Sequence, residues 1–131
     1  MKIILVDAVH CFIVEDSERF KVFSEMFDLL EIYSNRKIIL TGANDEQQKK
    51  FGLDSVPYEF FTLKHNPEKT NSEYYKILLE KFNLNKDEVI YFEHDPNAVK
   101  SAQSVGINTY YYDNDKKDLE GLKKFLDENL K

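Results

Sequence analysis

Short apolar runs alternate with helix-type stretches along the whole chain. Lys2-Ile-Ile-Leu-Val6 ends on Asp7, and Lys37-Ile-Ile-Leu40 ends on Thr41-Gly42. Tyr58-Glu-Phe-Phe-Thr62, Val89-Ile-Tyr-Phe92 and Thr109-Tyr-Tyr-Tyr112 follow. The first two, short unbroken apolar runs, predict strands buried on both faces, and the other three read as further strands. Between them, Asp16-Ser17 is expected to cap a helix with Phe20, Phe23, Phe27 and Leu30 on one face, at spacings of three and four. Asn44 or Asp45 opens a short helix that Gly52 stops. Asn71-Ser72 opens another, carrying Tyr75, Leu78, Leu79 and Phe82. Pro96 suits the first turn of a helix running to Gly106. Leu119, Leu122, Phe125 and Leu126 mark a closing helix.

Strict alternation of this kind predicts an α/β fold: a doubly wound, mostly parallel five-stranded sheet with helices on both faces, in one domain over residues 1–131. In such sheets chemistry collects at the carboxyl ends of the strands, near the switch in strand order. Four segments occupy those ends, namely residues 7–11, 41–44, 64–69 and 93–97. Composition then removes several classes of function. A content of 42% hydrophobic and 14% aromatic residues is enough for a core, which excludes disorder as the whole description. With 18 basic against 24 acidic side chains the formal charge is −6, and no basic stripe is present. Nucleic acid and anionic membrane are therefore not expected partners. One cysteine, Cys11, excludes an internal disulfide framework and a thiolate-rich zinc site, and it reads as a small buried residue. The opening apolar run is too short for a signal peptide or a membrane span, so a cytoplasmic protein is expected.

A carboxylate directly after a buried strand is half-desolvated and fixed, which suits Asp7 to nucleophilic attack or metal binding, or simply to capping a loop. Thr41 and Gly42 offer a hydroxyl and a close backbone approach to phosphate, or an ordinary turn. Lys69 precedes a helix start, where ammonium and helix end together hold an anion, unless it is one solvated lysine among many. Glu93, His94 and Asp95 read as metal ligands, an acid/base group or a polar turn.

In this order, at successive strand ends, the residues resemble the haloacid dehalogenase (HAD) superfamily of phosphatases and related hydrolases. Glu68-Lys-Thr-Asn-Ser-Glu-Tyr-Tyr75 is similar to that family's Lys-Pro-Asp-Pro-Glu-x-Phe segment. Val89-Ile-Tyr-Phe-Glu-His-Asp-Pro-Asn-Ala-Val-Lys-Ser-Ala102 with Gly106-Ile107 is similar to its Val-x-Phe-x-Asp-Asp-Ser-x-x-Asn-Val-x-Ala-Ala…Gly-Ile run. The resemblance implies Asp7 as nucleophile, Thr41 with Gly42 as the phosphate grip, and Lys69 as the stabilising cation. It implies Mg²⁺ held by Asp7, Glu93 and His94, and a small phosphorylated molecule or a phosphoprotein as substrate. Spacings of 34 residues from Asp7 to Thr41 and 28 from Thr41 to Lys69 leave no room for a large cap domain.

Two departures bear on activity. The family's phosphatases carry a proton-transfer Asp two residues after the nucleophile, where this chain has Val9; His10 is the adjacent substitute. The acidic pair is Glu93-His94, and a histidine nitrogen suits Zn²⁺ or Fe better than Mg²⁺. His10, His94, Glu93 and Asp7 together would make a transition-metal cluster, and Asp95 offers a replacement carboxylate. Three readings follow: a phosphohydrolase with weak or lost activity, a non-catalytic binding or interaction module, and a metal-independent dehalogenase-like hydrolase. Asp7-Ala8-Val9 resembles the dehalogenases' Asp-Ala-Tyr opening, but only Arg19 and Arg36 exist to bind a substrate carboxylate. A receiver domain is excluded, since Asp7-Ala8 and Thr62-Leu63 lack the acidic residues it requires. Phe60-Phe61 and Tyr110-Tyr111-Tyr112 are expected to pack the sheet, with some tyrosine left outward as a contact patch.

Overall fold

The computed structural model describes residues 1–130. Its centre is the strand β1 (Ile3–Asp7), buried along its whole length. Parallel neighbours flank it: β4 (Lys37–Thr41) on one side and β6 (Val89–Glu93) on the other. The outer strands β5 (Glu59–Thr62) and β7 (Asn108–Tyr111) complete a five-stranded sheet of order β5-β4-β1-β6-β7. This is the expected doubly wound α/β arrangement, and the described residues build no cap domain.

Strand periodicity of two explains how both faces become apolar. Ile4, Val6, Ile39, Ile90 and Phe92 point to one face and meet α1 (Ser24–Glu31) and α5 (Leu119–Asn129) through Met26, Leu30, Leu122 and Leu126. Ile3, Leu5, Ile38, Leu40, Val89 and Tyr91 point to the other. They meet α3 (Glu73–Lys81) and α4 (Pro96–Ser104) through Tyr74, Tyr75, Leu78 and Ala102. Helix starts follow the sequence chemistry. Asn44 caps α2 (Asp45–Lys50) in a reciprocal box with Gln47. Asp95 accepts from the Asn97 N–H ahead of α4, with Pro96 in its first turn. Gly52 ends the α2 region at φ 69°, a left-handed conformation where glycine costs nothing.

One expectation is overturned. Asp16-Ser17 does not cap a helix: Ile13–Asp16 and Arg19–Val22 form an antiparallel hairpin, β2 and β3, with Asp16 opposite Arg19. Ser17 and Glu18 turn the chain at φ 52° and 67°, the positive-φ pair of a tight two-residue hairpin. Phe20 and Phe23 share helical spacing by coincidence, whereas the β-branched Ile13, Val14 and Val22 favour strand. Phe20 lies on the hairpin against Phe51 at 4.7 Å, and the helix begins only at Ser24. Of the tyrosine run, Tyr112 is buried, Tyr110 stacks on Phe125 and Tyr111 faces outward. No helix among the described residues is long and apolar enough to cross a membrane.

Candidate active site

β1, β4 and β6 are parallel and adjacent, so Asp7, Thr41 and Glu93 emerge at one edge of the sheet. β1 connects onward toward β4 and β6 toward β7, which places the switch in strand order between β1 and β6. A cleft of about 250 Å³ opens there, lined by Asp7, Val9, His10, Thr41, Gly42, Lys69, Glu93 and His94. Every site residue expected from the sequence therefore borders one space.

The loop ahead of α3 brings Lys69 inward. Its ammonium donates to Asp7 Oδ1 at 2.5 Å and to Glu93 Oε1 at 2.8 Å. Tyr91, two residues before Glu93 on the same strand face, also donates to Glu93 Oε1. Glu93 Oε2 accepts the backbone N–H groups of His94 at 3.0 Å and Asp95 at 3.1 Å. Asp7 Oδ2 takes the His94 Nδ1 hydrogen bond, the His94 backbone N–H at 3.2 Å and the Cys11 thiol at 3.2 Å. Burial pushes the Asp7 carboxyl up, but the Lys69 ammonium and the bonds from His94 outweigh it and hold it far below the ordinary carboxylate range. For His94 burial acts downward, and hydrogen bonds to Asp7 and Glu93 override it, raising the imidazole to about 10. Lys69 is held well above its usual value by Asp7 and Glu93 against the cost of its burial. At neutral pH the site thus balances two carboxylates with two internal cations.

This balance has a pH signature. His94 has a raised folded pKa, so its contribution is complete below about 6.5, the unfolded value, and is lost as pH climbs toward 10. Asp7 acts in the opposite sense, with stability present above its unfolded value of about 3.9 and lost in acid. The unfolding free energy in chelator-containing buffer is expected to fall from pH 7 to 10, by at most about 1.4 kcal/mol per pH unit, and the melting temperature with it. His94→Gln should flatten that alkaline limb; a limb of equal slope in the variant would assign it elsewhere.

Thr41 keeps its hydroxyl at the cleft while accepting from the Ala43 N–H at 3.1 Å, and Tyr74 donates to the Thr41 carbonyl at 2.8 Å. Gly42 leaves the backbone close to the His65 side chain. A Cβ there would stand 3.3 Å from His65 Nδ1, within the pair His65–Glu68. His10 sits on left-handed backbone at φ 76°, its ring 5.2 Å from that of His94. Arg19 lies on β3, and Arg36 pairs with Glu59 beside the amino end of β4. Among the described residues no arginine lines the cleft to hold a substrate carboxylate.

Three groups at the site receive no role from the sequence. Tyr91 shares the strand face of Glu93 by the period of two and was legible on that ground. Cys11 approaches Asp7 only because a tight turn folds residues 8–13 back, with Phe12 N–H bonding the Asp7 carbonyl and Ile13 N–H the Ala8 carbonyl. His65 and Glu68 lie in the 64–69 segment that the strand-end rule marks, and an irregular loop carries them to the cleft. For Mg²⁺ the donor set is a poor fit: all four oxygens of Asp7 and Glu93 already accept hydrogen bonds, and the groups beside Asp7 Oδ2 are nitrogen and sulfur rather than oxygen.

No protein-family model and no curated protein matches the sequence. Solved structures do match. An enzyme of the HAD family from Bacteroides thetaiotaomicron, an aspartate-to-alanine mutant in complex with magnesium and inorganic phosphate, superposes with a TM-score of 0.69 at 15% identity, over 85% of this chain and 93% of that one. A HAD-superfamily hydrolase from Ehrlichia chaffeensis gives 0.65 at 15% identity, over 90% and 63%. The Unknown transcript 4 protein of Saccharomyces cerevisiae gives 0.55 at 20%, over 69% and 46%. The fold is HAD-like. The chain spans less than two thirds of the Ehrlichia protein and less than half of the yeast one.

Proposed function

We propose that this chain is a phosphohydrolase-type HAD-like protein of low turnover, acting on a phosphomonoester of a small molecule or of a phosphoprotein. One observation carries the reading: Asp7, Lys69, Glu93, His94, Thr41 and Gly42 meet around a single open cleft. An Asp7 oxygen attacks phosphorus, and the bond to the leaving oxygen breaks with its electron pair. Water then cleaves the aspartyl phosphate. Lys69 and His94 offset the repulsion between carboxylate and phosphate, and Thr41 donates its hydroxyl to a phosphoryl oxygen. His10, beside His94 at the cleft, hands a proton to the departing group.

Low turnover follows from two features. Both Asp7 oxygens are engaged by donors, which weakens the carboxylate as a nucleophile. Val9 stands where a proton-transfer carboxylate would work, and it carries no proton. With Lys69 and His94 already neutralising the pair, Mg²⁺ would enter only by displacing hydrogen bonds, so the measurement includes arms with and without it. The expected result is a small excess of aryl phosphate hydrolysis over background, absent in Asp7→Asn. Equal rates for the two proteins would reject the reading. A second reading, a phosphate-binding module without turnover, is favoured by the same engagement of Asp7. It predicts that inorganic phosphate raises the melting temperature while no aryl phosphate is hydrolysed.

A further inference from the structure

We propose that Asp7, Cys11 and His94 form a site for a thiophilic divalent ion of the Zn²⁺ class, with the fourth coordination position open to the cleft. The assignment deepens the phosphohydrolase reading by naming its cation, and depends on that reading only for what the bound ion would do. One oxygen, one sulfur and one nitrogen lie within 4.8 Å of one another. Cys11 Sγ is 3.2 Å from Asp7 Oδ2, and His94 Nδ1 bonds the same oxygen. Tetrahedral zinc, with Zn–S about 2.3 Å and Zn–N or Zn–O about 2.0–2.2 Å, keeps its ligand atoms roughly 3.3–3.8 Å apart. Opening the triangle by about 1 Å at His94, on which the cleft confers room, therefore seats an ion.

The mixed set of thiolate, imidazole and carboxylate selects zinc-like ions over Mg²⁺ or Ca²⁺. The two oxygens of Asp7 divide the work: Oδ1 keeps Lys69, while Oδ2 faces sulfur and nitrogen, so ion and ammonium do not compete. Asp7 and His94 both border the cleft, where water or a phosphoryl oxygen completes the shell, as in catalytic zinc sites with three protein ligands. Charge balances as the ion enters, because the Cys11 thiol and the His94 imidazolium each release one proton to solvent.

The test uses the full chain, stripped with chelator and titrated without substrate. Co²⁺ is expected to produce a thiolate-to-cobalt charge-transfer band at one ion per chain. Zn²⁺ should remove the band, and a large excess of Mg²⁺ should not. Cys11→Ser should abolish the band and weaken Zn²⁺ by ~100-fold or more, beyond the ~10–100-fold that loss of a supporting residue costs. His94→Gln should weaken it comparably, with melting curves confirming that both variants fold. The wild-type band decides the matter even where a variant fails to fold. No band, Zn²⁺ bound no better than Mg²⁺, or binding lost on His65→Ala but kept in Cys11→Ser would each overturn the assignment. A band without aryl phosphate hydrolysis upholds the metal site and removes the phosphohydrolase reading; hydrolysis without a band does the reverse.

Discussion

Replacing Val9 with aspartate is expected to raise the turnover of alkyl phosphates by ~10²–10⁴-fold, the range over which a positioned general acid acts. Val9 is half-buried, borders the cleft and lies two residues beyond Asp7, with its backbone bridged to Ile13. A side chain introduced there therefore projects from a fixed backbone. An alkoxide leaving group is strongly basic and must take a proton as the bond to phosphorus breaks. Valine offers none, and His10, one position further along, is the less effective donor that Val9→Asp would overtake. An aryloxide departs without one. The gain should therefore appear in kcat/KM for alkyl phosphates and be slight for aryl phosphates. Val9→Asn, which matches the shape without the proton, should give neither. The partial exposure of position 9 lets the new carboxylate keep some hydration next to Asp7. Equal gains for both substrate classes, or none for alkyl phosphates, would show that something other than proton delivery limits the wild-type chain.

How much of this was legible before the structure depends on what kind of contact holds each residue. Strands β1, β4 and β6 declare themselves as unbroken apolar runs because they are buried on both faces, and a parallel sheet then forces Asp7, Thr41 and Glu93 to one edge. Lys69 was legible as a cation before a helix; that it reaches two carboxylates is a matter of tertiary placement. The β2–β3 hairpin was misread because Phe20 and Phe23 satisfy a helical spacing while Ile13, Val14 and Val22 satisfy a strand one. Local pattern alone could not arbitrate; the Ser17-Glu18 turn did, at two residues that carry no glycine signal. Cys11 was read as a small core residue, and it is buried. Its second property, contact with Asp7, comes from backbone bonds across residues 7–13, which composition does not encode.

Lys69→Met is expected to destabilise the fold by about 3–5 kcal/mol, the cost of leaving buried charge without its partner. Lys69 is only 16% exposed in its side chain, and the Asp7 and Glu93 side chains it bridges are 1% and 0% exposed. Methionine fills a similar volume, so the loss measures charge rather than packing. In a chain of this size that corresponds to a fall in melting temperature of roughly 10–20 °C. The deficit should shrink as pH falls, because protonating one carboxylate relieves the imbalance. Pairing Lys69→Met with Glu93→Gln removes one cation and one anion together, so the double variant should regain part of the loss instead of adding to it, a coupling that a double-mutant cycle reads directly. A melting temperature for Lys69→Met within a few degrees of wild type, or strict additivity in the cycle, would mean that His94 alone neutralises the pair. The ammonium would then be a bystander at the strand ends, and the role proposed for it in stabilising charge during phosphoryl transfer would fall with it.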